Sequence, residues 1–94
     1  MNETLTMKDG TTVRNAQTVG SIQGLWIHIR EGLTFSQAYS LFSDPGKTGR
    51  IESDRTEPAT PNMPTVYEGF TDLYMLKRED NGMIIVGLHE AKNE

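Results

Sequence analysis

The chain has 94 residues, with 35% hydrophobic and 23% charged residues, a net charge of −4 and no cysteine. This length predicts a single domain, and the lack of cysteine excludes a disulfide framework, thiolate metal sites and cysteine catalysis. Nucleic-acid binding normally needs a basic face, so the acidic balance argues against direct contact with DNA or RNA. No apolar run is long enough to span a membrane and no signal peptide is recognisable, so we expect a cytoplasmic protein without membrane association.

A β-hairpin is predicted at the start of the chain. Residues 3–7 alternate polar and apolar side chains, which is the period of a half-buried strand. Asp9-Gly10 follows, and Gly tolerates the positive φ that tight hairpin turns require. Residues 15–20 are predicted to form a loop, and residues 21–30 a third strand.

The third strand carries the only tryptophan of the chain. Alternation places Ile27 and Ile29 on one face, and Trp26 on the other face with His28 and Arg30. A tryptophan on a wet face is unfavourable. The sequence therefore predicts either that both faces are partly covered or that the outer face meets a partner.

A short amphipathic helix is predicted over residues 35–43. Thr34 and Gln37 form the capping-box pattern, in which each side chain bonds to the other's backbone amide. Asp44-Pro45 ends the helix, because the residue before proline avoids the helical region. The helix residues expected to face the sheet are Phe35, Ala38, Leu41 and Phe42. Their expected neighbours in the sheet are Ile27, Ile29, Leu73, Ile85 and Leu88.

The second half of the chain is predicted to be mostly β-structure. In chain order we expect a short strand at 50–53, a proline-rich loop at 54–64, and one broken strand or two over 65–77 with a bulge or bend at Gly69. A hairpin turn at 79–82, a strand at 83–89 and a frayed tail at 91–94 are expected to follow. Strands surround a single helix without a βαβ rhythm. This order predicts an α+β domain over residues 1–94, a twisted or partly rolled, mainly antiparallel sheet of five or six strands with helix 35–43 packed on one face.

The tripeptide Gly46-Lys47-Thr48 resembles the end of a phosphate-binding loop. The full motif requires glycine five residues earlier, where Leu41 stands. The segment also follows a helix, whereas phosphate binds at a helix N-terminus. The sequence therefore predicts only a turn at this point, with Lys47 and Arg50 as candidate contacts for an anion or an acidic partner.

No enzyme chemistry is predicted. His28 and His89 lie in strands without the spacing of a metal site, and no nucleophile motif accompanies them. We therefore assign no catalytic, cofactor-binding or metal-binding residues and expect no cofactor.

Large apolar side chains are the better candidates for function. Aromatic residues and methionine are enriched in protein interfaces, and the small core cannot take all of them. The candidate interface residues are Trp26, Met63, Tyr67 and Tyr74. A place in the core is the alternative, and the sequence does not decide between interface and core for Tyr67 and Tyr74.

Three stretches carry a resemblance to a group of proteins: "LTMKDGTTV", "LTFSQAYSLFSDPGKTGRI" and "YEGFTDLYMLKREDNGMIIVGL". Their pattern resembles small proteins encoded in phages and prophages of Gram-positive bacteria, mostly of unassigned function. The resemblance implies a binding or assembly role, with a place in the virion or the host cytoplasm, and transfers no catalytic residues.

We therefore expect a non-enzymatic binding or assembly module that acts through a protein–protein interface. The alternatives are a small acidic inhibitor of a host defence protein and a small enzyme of unknown reaction. Residues 83–88 are apolar, without charge or proline, and such a strand is an aggregation hazard at an open edge. It is therefore predicted to be central in the sheet or paired with another copy, and the protein to be a homo-oligomer.

Overall fold

The computed structural model describes residues 2–20, 24–56 and 64–91. Within these ranges the chain forms seven strands and two short helices. The strands are β1 (Glu3–Met7), β2 (Thr12–Gly20), β3 (Leu25–Ile29), β4 (Arg50–Ser53), β5 (Val66–Glu68), β6 (Asp72–Arg78) and β7 (Ile84–His89). The helices are α1 (Phe35–Phe42) and α2 (Pro45–Thr48). The predicted α+β class is confirmed.

All seven strands belong to one antiparallel sheet in the order β5-β4-β1-β2-β3-β7-β6. The expected five or six strands is therefore slightly wrong. Gly69 turns the chain with a φ of 82°, so the segment 65–77 gives two strands that pair with different neighbours. β5 pairs with β4 and β6 pairs with β7, at opposite edges of the sheet.

The sheet is rolled, because its two edge strands are consecutive in the chain. A flat sheet of seven strands would be about 29 Å wide, at about 4.8 Å between neighbours. Residues 69–71 can bridge at most about 14 Å. Two backbone hydrogen bonds fix this corner: the Gly69 amide donates to the Gly49 carbonyl at 3.0 Å, and the Ala91 amide donates to the Gly69 carbonyl at 2.9 Å.

The core fills the inner face of this rolled sheet. In β3 the buried residues are Leu25, Ile27 and Ile29, and in β7 they are Ile84, Val86 and Leu88. Helix α1 adds Ala38, Leu41 and Phe42. The prediction was wrong for two residues: Phe35 is 45% exposed, and Ile85 lies on the opposite face because the inward positions of β7 are 84, 86 and 88.

β2 corrects another prediction, since residues 15–20 form a strand and not a loop. Asn15 has a φ of 60°, and the register with β1 shifts there, with Glu3 opposite Ala16 and Leu5 opposite Val13. This irregularity interrupts the alternation on which the sequence prediction depended. Beyond it Ala16 and Thr18 return to the buried face.

β7 lies between β3 and β6. The apolar segment 83–88 is therefore central in the sheet. This is one of the two predicted alternatives, the other being an edge strand paired with another copy. Its backbone is paired on both sides within one chain. This strand therefore gives no reason for self-association.

Both helices begin at a residue whose side chain caps the helix N-terminus. The Thr34 hydroxyl accepts from the Gln37 amide at 3.1 Å and the Gln37 side chain accepts from the Thr34 amide at 3.0 Å, which confirms the capping box. The predicted turn at 45–49 contains the one-turn helix α2, whose N-cap Asp44 accepts from the Gly46 amide at 2.9 Å. A carboxylate therefore occupies the position where a phosphate would have to bind.

Candidate functional site

One row of directly paired residues crosses four strands on the outer side of the sheet. Val19 pairs with Trp26, Trp26 with Gly87, and Gly87 with Met75. Directly opposite residues of antiparallel strands point to the same face. Four strands span about 14 Å, so the row brings residues from β2, β3, β7 and β6 into one compact surface.

A β-bulge in β6 enriches this surface. Leu73 pairs with Leu88 and Met75 with Gly87, so Tyr74 is the extra residue between them. The bulge turns both Tyr74 and Met75 outward, where they are 40% and 39% exposed. A regular strand would have sent one of the two into the core.

Gly87, the glycine in this row, leaves room for the Tyr74 ring to pack against the sheet. A methyl group at Gly87 would be 2.9 Å from Tyr74 Cζ, which is closer than carbon atoms approach. The Tyr74 ring stacks on His89, with ring centroids 3.7 Å apart and planes 13° apart. Trp26 meets Tyr74 edge to face at 5.5 Å. The three rings hold one another in fixed orientations.

We call this surface the aromatic face and define it as Val19, Trp26, Tyr74, Met75 and His89. Its neighbours on the same side of the sheet are Gln17, His28 and Ile85, with Asp72 and Lys77 at the two ends of β6. None of the five residues of the aromatic face is Asp, Glu, Lys or Arg, whereas these residue types make up 23% of the chain. A surface rich in aromatic residues and methionine and poor in charge has the composition of an interface core.

Two of the four interface residues predicted from the sequence therefore come together. Trp26 and Tyr74 are in contact on the aromatic face. Tyr67 is a core residue, 3% exposed, and it packs edge to face on Phe70 with centroids 6.0 Å apart. Met63 lies outside the described residues. Sequence reasoning missed Val19, because its exposure depends on the strand register. As a soft apolar side chain Met75 suits a subunit contact, and the bulge in β6 places it on this face.

The structure places the two predicted anion contacts, Lys47 and Arg50, at the end of α2 and the start of β4. Arg50 makes an exposed ion pair with Glu52, with Nη1 and Oε1 2.8 Å apart. Lys47 lies in the single turn of α2, where its carbonyl accepts from the Lys8 amide. The Asp44 cap leaves no free helix N-terminus beside them.

The two histidines are on the same outer face but do not meet. His28 pairs with Ile85, and His89 lies four residues further along β7, about 13 Å away along the strand. Two imidazoles that bind one zinc ion must each approach it to about 2 Å. Among the described residues no group of three or more His, Asp or Glu side chains is arranged for a metal ion.

A buried polar cluster is the second unusual feature of the molecule, and sequence reasoning missed it. The Glu3 carboxylate, 6% exposed, accepts from the Thr18 amide at 3.0 Å, from the Thr18 hydroxyl at 2.8 Å and from the Ser53 hydroxyl at 2.6 Å. Arg55 Nη1 lies 3.7 Å from this carboxylate and donates to the Thr18 hydroxyl at 3.0 Å. The Arg55 guanidinium also donates to the Pro64 carbonyl.

The role of this polar cluster is structural. It joins β1, β2 and β4 and ties together the two flanks of the segment 56–63. Each hydroxyl donates to or accepts from a named partner, and no histidine is present to activate one as a nucleophile. A signal existed in the sequence, because Glu3 has the same strand parity as Leu5 and Met7, which are buried.

Two open clefts lie at one end of the sheet, on either side of Glu31. One has a volume of about 350 Å³ and is lined by Asn2, Arg30, Glu31, Asn81 and Met83. The other has about 290 Å³, between residues 12–15 and 31–33.

Comparison with known proteins adds no candidate function. No protein-family model, no curated protein and no solved structure matches the chain. Among the described residues no helix is long and apolar enough to cross a membrane. Among the described residues, the aromatic face is the surface whose composition is that of an interface.

Proposed function

We propose that the protein is a non-enzymatic binding or assembly module that acts through protein–protein contact at the aromatic face. The observation that carries this proposal is the clustering of large apolar side chains on the outside of the sheet. Val19, Tyr74 and Met75 are 49%, 40% and 39% exposed, and Trp26 lies between Val19 and the other two in the row of paired strands.

The rigidity of the aromatic face supports this proposal. Ordering a side chain on binding costs about 0.5–1.5 kcal/mol. Tyr74 is already held between His89 and Trp26 by ring contacts. A partner that covers it therefore meets a surface that is largely preorganised, which is characteristic of the aromatic anchors in interfaces.

The charge distribution favours a second copy of the chain as the occupant. Each copy carries a net charge of −4, so two copies repel each other when charged surfaces meet. The aromatic face carries no carboxylate, and its neighbours contribute one acid and one base, Asp72 and Lys77. Two copies can therefore approach on this side with little electrostatic cost, as a homo-oligomer.

The resemblance to phage and prophage proteins gives this role its proposed setting. Virion assembly depends on repeated contacts between copies of small proteins, and an aromatic face suits that use. In this proposal the protein works in the host cytoplasm during assembly or remains in the virion. Mass spectrometry of purified particles from a strain that encodes the chain tests this setting separately.

Light scattering of two matched variants tests the contact. Tyr74→Lys places a charge in the aromatic face, and Tyr39→Lys places the same charge on α1, where Tyr39 is 57% exposed. We expect wild type and Tyr39→Lys to form particles of more than one chain at micromolar concentration, and Tyr74→Lys to be a folded monomer. A wild type that stays a 10.5 kDa monomer, or an equal effect of the two substitutions, overturns the proposal.

A further inference from the structure

The edge strand β6 has an unusual symmetry. Its residues 72–77 read Asp-Leu-Tyr-Met-Leu-Lys. Read from either end, the pattern has a charge outside, a leucine next, and a large apolar side chain in the middle. The exposure pattern has the same symmetry, since Leu73 and Leu76 are half-buried and the other four are exposed.

The bulge creates this symmetry. In a regular strand successive side chains alternate between faces, so two neighbouring residues can never lie on the same side. Here Tyr74 and Met75 both point outward, and the order from 72 to 77 is out, in, out, out, in, out. A two-fold axis that lies beside β6, level with the bond between Tyr74 and Met75, therefore maps outward positions onto outward positions.

We infer that β6 pairs in antiparallel register with β6 of a second copy about this axis. β6 has β7 as its strand neighbour within the described residues, and its other side is an edge of the sheet. In the proposed register Tyr74 lies opposite the partner's Met75, Leu73 opposite the partner's Leu76, and Asp72 opposite the partner's Lys77. Each pair lies on one face, as antiparallel pairing requires.

Charge complementarity selects this partner and this register. The axis brings the carboxylate of Asp72 to the ammonium of the partner's Lys77 twice, once at each end of the paired strands. Lys77 also approaches Glu79 of its own chain, with Nζ and Oε1 3.5 Å apart. That contact is exposed, and pairs of this kind contribute little on their own. A parallel arrangement would instead place Asp72 beside the partner's Asp72.

The pairing sets Tyr74 and Met75 of each copy against Met75 and Tyr74 of the other, so the two aromatic faces cover part of each other where they meet along β6. This inference deepens the proposed function and rests on it, because it names the edge through which the association would occur.

The test exchanges the two charges one at a time and together. Asp72→Lys and Lys77→Asp are made singly, then combined in one chain, and the dissociation constant is measured by sedimentation at low salt. Each single variant sets like charges opposite each other at both ends of the pairing, so we expect about tenfold weaker self-association or more. The combined variant restores both attractions and should associate like wild type. An equimolar mixture of the two single variants should form a heterodimer.

The mixture separates folding defects from a wrong interface. Recovery of association on mixing supports the inference, because a misfolded chain is not rescued by another variant. If wild type self-associates and all three variants have the same dissociation constant as wild type, the β6 pairing is wrong while the proposed function stands. If wild type does not associate at all, the proposed self-association and this inference both fail.

Discussion

Two parts of the molecule depart from the usual distribution of side chains in opposite directions. The polar cluster around Glu3 buries a carboxylate and a guanidinium inside the sheet. The aromatic face places tyrosine, methionine and valine outside it. In the polar cluster the Glu3 carboxylate is satisfied internally, because it accepts hydrogen bonds from Thr18 and Ser53. The aromatic face leaves apolar surface in water.

This difference indicates which part is structural and which part is available for function. A buried polar group whose hydrogen-bond partners belong to the same chain needs no partner from another molecule. An exposed apolar surface gains free energy only when something covers it. The two parts should therefore respond differently to substitution: the polar cluster through stability, and the aromatic face through association.

The largest expected effect is on the polar cluster. Glu3→Gln removes the charge that faces Arg55, whose side chain is 7% exposed, and breaking a buried ion pair from one side costs about 3–5 kcal/mol. Urea unfolding should show this loss. The control is Glu52→Gln, which removes an exposed partner of Arg50 and should cost less than about 1 kcal/mol. Equal effects of the two substitutions would contradict the assignment of Glu3 as a structural anchor.

A smaller effect is expected at Gly87. Gly87→Ala puts a methyl group into the Tyr74 ring, and overpacking of this kind costs about 1–3 kcal/mol. In a Tyr74→Ala background the same substitution should cost almost nothing, since the clash is gone. Thermal unfolding of the four proteins in this double-mutant cycle measures the coupling. Additive effects would show that Tyr74 does not lie on Gly87 in solution.

A smaller change in stability is expected at the core residue Tyr67. The Tyr67 hydroxyl is buried and has no hydrogen-bond partner among the described residues. Tyr67→Phe should therefore leave stability unchanged or raise it by up to about 1 kcal/mol, because an unpaired buried hydroxyl is unfavourable. Denaturant midpoints measure this. A clear loss of stability on Tyr67→Phe would show that the hydroxyl has a partner.

The smallest effect concerns Asp9 in the β1–β2 turn. Its carboxylate accepts from the Thr11 amide at 3.0 Å, and this hydrogen bond lowers the pKa of Asp9 below its ordinary value of 3.8. A carboxyl with a depressed folded-state pKa stabilises the fold at neutral pH. That contribution is lost as the pH falls below 3.8. Asp9→Asn should flatten this part of the stability profile, and an unchanged profile would contradict it.

Local signals in the sequence predicted the local structure well. The capping box at Thr34, the hairpin turns and the bend at Gly69 each depend on a few neighbouring residues, and all are present. Bulges were not predictable in this way. The irregularity at Asn15 hid half of β2, and the bulge at Tyr74 set the face of the residues that follow it.

The candidate site was only partly predictable for the same physical reason. Trp26 and Tyr74 were identified as interface candidates because large aromatics exceed what a small core can hold. Tyr67 belonged to the same set, but only the pairing of β5 with β4 places it in the core. The contacts of Glu3 join residues 50 positions apart in the chain, and no local pattern records such a contact.

Fluorescence of Trp26 is the most direct measurement of whether the aromatic face is a binding surface. It is the only tryptophan of the chain and it contacts Tyr74. On dilution from tens of micromolar to nanomolar concentration, we predict a red shift of its emission and stronger acrylamide quenching as the face becomes exposed to water. Emission and quenching that stay constant across a range in which light scattering shows association would contradict a role for the aromatic face in that contact.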